Sequence, residues 1–60
     1  MNKMIGKQVT WAVMGWLGIE WVKGTIIADT PRTGFYRVEG HTLFGHKHSE
    51  IKNISELTFC

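Results

Sequence analysis

Gln8-Val9-Thr10-Trp11-Ala12-Val13 alternates, with Val9, Trp11 and Val13 on one face and Gln8, Thr10 and Ala12 on the other. A period of two is the pattern of an extended strand with one side turned to a core. Gly6-Lys7 precedes the run and suits a strand start, and Gly15-Trp16-Leu17-Gly18 follows it. Paired glycines supply backbone angles that other residues resist, so the tetrad reads as a turn. The competing reading is a helix through Trp11–Trp21. Two interior glycines, each costing about 1 kcal/mol relative to alanine, argue against it.

Working outward, Ile19 to Ala28 forms a second strand, rich in β-branched residues at Thr25-Ile26-Ile27. Gly24 interrupts it, and a glycine within a strand commonly marks a bulge or sharp bend. Asp29-Thr30-Pro31-Arg32-Thr33-Gly34 is a loop by composition. Phe35-Tyr36-Arg37-Val38-Glu39 is a third strand, with Tyr36 and Val38 assigned to the inward face. Gly40 to His48 reads as a loop or distorted hairpin in which Thr42-Leu43-Phe44 pair briefly. The tail resolves into a strand at 49–52, one 3₁₀ turn at 53–56 and a closing strand at 57–59. Asn53 followed three residues later by Glu56 has the form of a capping box.

Sixty residues make one domain, 1–60. So short a chain buries only about 60% of the surface its unfolded form exposes. Scaffolds of this size lean on disulfides, a metal or association. Cys60 is the sole cysteine, which removes an internal disulfide and suits a reducing compartment. Three tryptophans in so few residues favour dense packing or association, since each large aromatic buries roughly 150–250 Å². Seven basic residues against five acidic ones give a net charge of +2, and the basic residues form no run. Nucleic-acid binding is permitted by this balance but not signalled. No stretch approaches the ~18 apolar residues of a membrane span. Met1-Asn2-Lys3-Met4-Ile5-Gly6 lacks the apolar stretch of a secretory signal. The expected setting is cytoplasmic, without a membrane.

The order strand, long hairpin, strand, strand, 3₁₀ turn, short strand resembles the SH3-like β-barrel. The residues carrying the resemblance are Ile5-Gly6-Lys7-Gln8-Val9, Val22-Lys23-Gly24-Thr25-Ile26, Phe35-Tyr36-Arg37-Val38-Glu39, and Ile51, Ile54 and Leu57. They span nearly the whole chain, but the pattern is generic. It is shared by KOW and Tudor modules, small phage-encoded barrels and the type II dihydrofolate reductases. The resemblance implies an all-β fold, a single five-strand SH3-like barrel with a 3₁₀ turn before the last strand. The reductases have second and third strands similar to Trp21-Val22-Lys23-Gly24 and Gly34-Phe35-Tyr36-Arg37-Val38-Glu39. Where they carry a Val-Gln-Ile-Tyr ligand-binding motif, this chain has Ser49-Glu50-Ile51-Lys52. Ile51 survives as a core position, whereas the glutamine and tyrosine do not. Function resides in sites rather than folds, so the reductase comparison implies no transfer of activity.

Candidate binding residues are Trp16, Leu17, Arg32, Tyr36 and Arg37. Trp16 and Leu17 occupy a hairpin tip, where apolar side chains are costly unless covered. The alternative folds Trp16 back as a lid on the core. Trp11 and Trp21 read as core or as an oligomer seam. Arg32 sits on the Pro31 loop as a recognition residue or a solvated charge. Tyr36 and Arg37 could serve a base-stacking surface, although nothing local brings them beside Lys7 and Lys23. His41, His46 and His48 could ligate zinc, nickel or copper if Glu39, Glu50 or a second chain completed the set. Three solvated loop histidines are the plainer alternative. No nucleophile motif, useful carboxylate pair or phosphate loop is present, and no cofactor is implied.

The leading expectation is a non-enzymatic protein-binding module, an accessory or inhibitor protein of a mobile element such as a phage, acting as a homo-oligomer. A nucleic-acid-binding barrel is the first alternative. An oligomeric small-molecule-binding or reductase-like barrel is the second.

Overall fold

A chain with one alternating face per strand must put those faces together, and the register shows how. The computed structural model describes residues 3–59 and contains β1 (Gln8–Gly15), β2 (Gly18–Asp29), β3 (Phe35–Thr42), β4 (Lys47–Asn53), a 3₁₀ turn (Ile54–Glu56) and β5 (Thr58–Phe59). All strand pairings are antiparallel, and the sheet order is β4-β3-β2-β1-β5. No helix among the described residues is long and apolar enough to cross a membrane.

Alternation and register together define an inner face. Val9, Trp11 and Val13 of β1 share it with Glu20, Val22 and Ile26 of β2, Tyr36, Val38 and Thr42 of β3, and His48, Glu50 and Lys52 of β4. Val9, Trp11, Val22, Ile26, Val38 and Leu57 form the buried core, and Met4, Val13 and Tyr36 pack against it. The inward assignment of Tyr36 and Val38 therefore holds.

Trp11 governs the curvature. Its Nε1–H donates to Glu50 Oε2 over 3.0 Å, although β1 and β4 stand three strand intervals apart, about 14 Å in a flat sheet. The sheet must curl to bring them together. The inside of the curl is lined by Gly24 and Gly40, directly opposite each other. A Cβ on Gly24 would collide with the Glu39 carbonyl oxygen and lie 2.9 Å from Trp11 Cη2. A Cβ on Gly40 would collide with the Lys23 carbonyl oxygen. These glycines serve close backbone approach beneath an indole.

Several expectations change. The ladders describe an open sheet: β4 and β5 are its edges, and no pairing joins them. The reason is length, because β5 pairs with only Val9 and Thr10. The β2 bulge falls between Ile26 and Ala28, not at Gly24, which pairs regularly on both sides. Gly40–Thr42 continue β3, and Leu43 and Phe44 lie in the turn instead of pairing. That turn is closed by Thr42 N–H to His46 O at 3.0 Å and Gly45 N–H to Thr42 O at 3.0 Å. Ile51 is on the outer face and exposed, so it is no core position. The tail keeps the expected order of strand, 3₁₀ turn and strand, but β4 already begins at Lys47 and Leu57 lies between the turn and β5. Asn53 Oδ1 accepts from Ser55 N–H at 2.9 Å and Glu56 Oε2 from Asn53 N–H at 3.0 Å. Cys60 lies outside the described residues.

Two expected outcomes follow from the curl. Gly24→Ala or Gly40→Ala overpacks it and should cost about 1–3 kcal/mol. In urea denaturation the midpoint falls with little change in slope. Glu50→Ala strands the Trp11 N–H and should cost about 1–3 kcal/mol, whereas Glu50→Gln keeps an acceptor and should cost about half as much or less. Equal losses for the two Glu50 variants, by the same measurement, would mean that the hydrogen bond is not what holds the indole.

Candidate functional site

β2 has twelve residues, but its first four, Gly18–Trp21, pair only with β1, since the β2–β3 ladder begins at Val22–Thr42. The distal β1–β2 hairpin is therefore a two-stranded arm projecting beyond the β3–β4 turn. Its tip is Gly15-Trp16-Leu17-Gly18. Gly15 pairs with Gly18, so Trp16 and Leu17 fill the two central places of the turn, and Gly18 takes a φ of 121°. A two-residue loop has no depth in which to bury a side chain. Trp16 is 97% exposed and Leu17 98%, so the folded-back lid does not form.

Further apolar residues surround this tip. Met14 and Ile19 are a cross-strand pair on the outer face of the arm, and both are exposed. Trp21, also outer, is 59% exposed and is not a core residue of the chain by itself. Leu43, 94% exposed, and Phe44 project from the β3–β4 turn. Ile19, Trp21, Leu43 and Phe44 border one hollow of about 170 Å³. Ala12 through Ile19 contain no charged residue. Among the described residues, twelve large apolar side chains are exposed against six buried ones. That ratio marks a surface awaiting cover, since isolated exposed leucines are ordinary but a contiguous set is not.

The other candidates fall elsewhere. Arg32 lies in the loop at the opposite end of β2 from Trp16. Its guanidinium sits 4.4 Å from the Phe35 ring centroid, a stacking worth about 0.5–1 kcal/mol at an exposed position. Thr30 Oγ1 steadies that loop, within 2.9 Å of the Phe35 carbonyl and accepting from Arg32 N–H at 3.3 Å. Arg32 is thus a loop-stabilising residue. Tyr36 and Arg37 point to opposite faces of β3, so they share no platform.

The histidines also separate. His41 is outer, His48 is inner and His46 is in the turn. His46 Nδ1 lies 4.0 Å from Glu20 Oε1, and His48 Nδ1 lies 3.6 Å from Glu50 Oε2. Lys52 Nζ reaches Glu50 Oε1 at 3.5 Å. Among the described residues no three His, Cys, Asp or Glu side chains gather as metal ligands.

Met14, Ile19, Leu43 and Phe44 were not singled out from sequence. The available signal was the uncharged run on both sides of the turn. No protein family, curated protein or solved structure matches the chain.

Proposed function

We propose that this is a non-enzymatic, SH3-like protein-binding module whose binding surface is the projecting β1–β2 arm with the adjoining β3–β4 turn. The observation that carries the reading is that Met14, Trp16, Leu17, Ile19 and Trp21 of the arm are exposed, with no third strand beside them and no place in the core. A lone two-stranded hairpin is at best marginally stable in water, and its stability grows when a partner covers it. The exposed parts of Met14, Trp16, Leu17, Ile19, Trp21, Leu43 and Phe44 amount to on the order of 1,000 Å², enough for one side of a standard interface. Tryptophan at the tip fits the preference of interface anchors for large, stiff side chains.

A binding role is also favoured over catalysis by how the carboxylates are used. Glu50 accepts from Trp11 and faces His48 and Lys52, while Glu20 faces His46. Glu50 is thereby engaged structurally, whereas Glu20 Oε1 is buried without a hydrogen-bond partner among the described residues. The five-strand order and the 3₁₀ turn before β5 support the SH3-like assignment.

Association of two copies is a second reading with its own support. β5 pairs with β1 only at Val9 and Thr10, so the outer edge of β1 from Trp11 to Gly15 is open to antiparallel pairing. An uncharged segment can pair with itself without like-charge repulsion.

The double variant Trp16→Ser with Leu17→Ser should leave the circular dichroism spectrum unchanged, because neither side chain packs on the core. Native mass spectrometry of protein purified from the cells that make it should show a partner, or a second copy, retained by the unaltered chain and lost from the variant. Sedimentation of the pure protein across concentrations separates self-association from a foreign partner. Retention of the bound chain by the double variant would sink the arm as the contact surface.

A further inference from the structure

The cross-strand register places five residues in one row on the outer face: Thr58, Thr10, Lys23, His41 and Lys47, each the pairing partner of the next. Neighbouring strands lie about 4.8 Å apart, so the row runs roughly 19 Å across the sheet. Its cationic members occupy adjacent positions. Side chains directly opposite in an antiparallel pair are close enough for like charges to repel. Two lysines flanking a histidine is therefore an arrangement that a bound anion makes better.

Among the described residues no ion pair offsets the charge of the two lysines. The ion pairs there are His46–Glu20, His48–Glu50 and Lys52–Glu50, so Lys23 and Lys47 enter none. The two faces of β2–β4 differ. Glu20 and Glu50 are inner, whereas Lys23, Arg37 and Lys47 are outer with Glu39 as their one acidic companion there.

Trp21 sits two residues before Lys23 on β2, hence on the same face about 6.6 Å away along the strand. Thr10, Trp21, Lys23, His41 and Leu43, with Thr42 and Gly45, line a single half-open groove of about 470 Å³. His41 also borders two hollows alongside, one with Glu39, Lys47 and Ser49, the other with Gln8, Lys23 and Thr25.

We propose that this face binds single-stranded nucleic acid, with the sugar–phosphate backbone laid over Lys23, His41 and Lys47 and a base stacked on the Trp21 indole. The π-face of Trp21 one strand step from a lysine matches the distance over which a nucleotide presents base and phosphate. An acidic peptide would use the cations but has no use for the exposed indole. A duplex hides its base faces from the indole. The groove shares Trp21 and Leu43 with the protein contact surface but not Trp16 or Leu17, so the Trp16→Ser with Leu17→Ser variant should keep full nucleic-acid binding.

The test is fluorescence anisotropy of a labelled single-stranded oligonucleotide of about ten nucleotides, titrated with the full chain at rising salt. Binding should weaken with salt, and Lys23→Ala and Lys47→Ala should each flatten the log–log salt slope by about 0.7. Trp21→Ala should weaken binding about tenfold or more while keeping the slope. Lys3→Ala, which removes a positive charge outside every strand, should change neither. Circular dichroism of each variant reports whether it folds. No binding at low salt would overturn the proposal. So would equal affinity for a duplex or for polyglutamate, or affinity indifferent to Trp21 and Lys23 in folded variants.

Discussion

The hydrogen bond from the Trp11 indole to Glu50 is the constraint from which the rest of this molecule follows. It joins the second strand from one edge of the sheet to the opposite edge strand. A sheet can satisfy it only by curling over the ring. A side chain this large then fills most of the small interior, and Val9, Val22, Ile26, Val38 and Leu57 close around it. The curl leaves no volume for a Cβ at the centre of its concave side, which is why Gly24 and Gly40 oppose each other there. Glu50 is held in place in turn by Lys52 and His48. A carboxylate placed to roof a tryptophan is a buttress, and its titratable neighbours belong to the same support.

An interior so nearly filled by one residue cannot shelter the remaining apolar side chains. The curl covers the part of β2 from Val22 onward, where β1 and β3 flank it, and leaves Gly18–Trp21 with one neighbour. The longest dimension of the molecule, 38 Å, is close to the length of β2 alone, about 37 Å for twelve residues. The elongated shape therefore comes from a strand too long for its sheet. The excess carries Trp16 and Leu17 outward on a two-residue turn.

Local signals were legible in the sequence and non-local ones were not. The alternation from Gln8 to Val13 identified β1 because only one face of that strand is dry. The Asn53–Glu56 capping box was legible because both of its hydrogen bonds close within three residues. In β2 both faces carry large apolar residues: Ile19 and Trp21 on one, Val22 and Ile26 on the other. Parity alone could not say which set is buried, and Trp21 proved to be outer. Ile51 failed for the same reason, since the face of β4 is fixed by its pairing to β3 and not by its own pattern. That pairing depends on the turn closed between Thr42 and His46, a contact that the glycine- and histidine-rich composition of 40–48 obscured. The row through Lys23, His41 and Lys47 was illegible as well. Its members are eighteen and six residues apart in the chain, and only the β2–β3–β4 register brings them side by side.

The division of charge between the two faces connects the core to the outer surface. Trp11 requires an acceptor on the inner side of β4, and Glu20 also falls on the inner side by its pairing with Val13. Two of the chain's five carboxylates are thereby withdrawn from the outer surface. Lys23 and Lys47 remain outside, and among the described residues they enter no ion pair. The cationic face is thus a consequence of how the indole is held. Because charge acts over about a Debye length, 8–10 Å in ordinary salt, an outer face with this excess attracts anionic chains before contact. The uncharged arm acts only on contact, through the area it buries. The two surfaces therefore differ in range as well as in chemistry, and they meet at Trp21 and Leu43, so a partner on the arm and a strand on the row compete for that common ground.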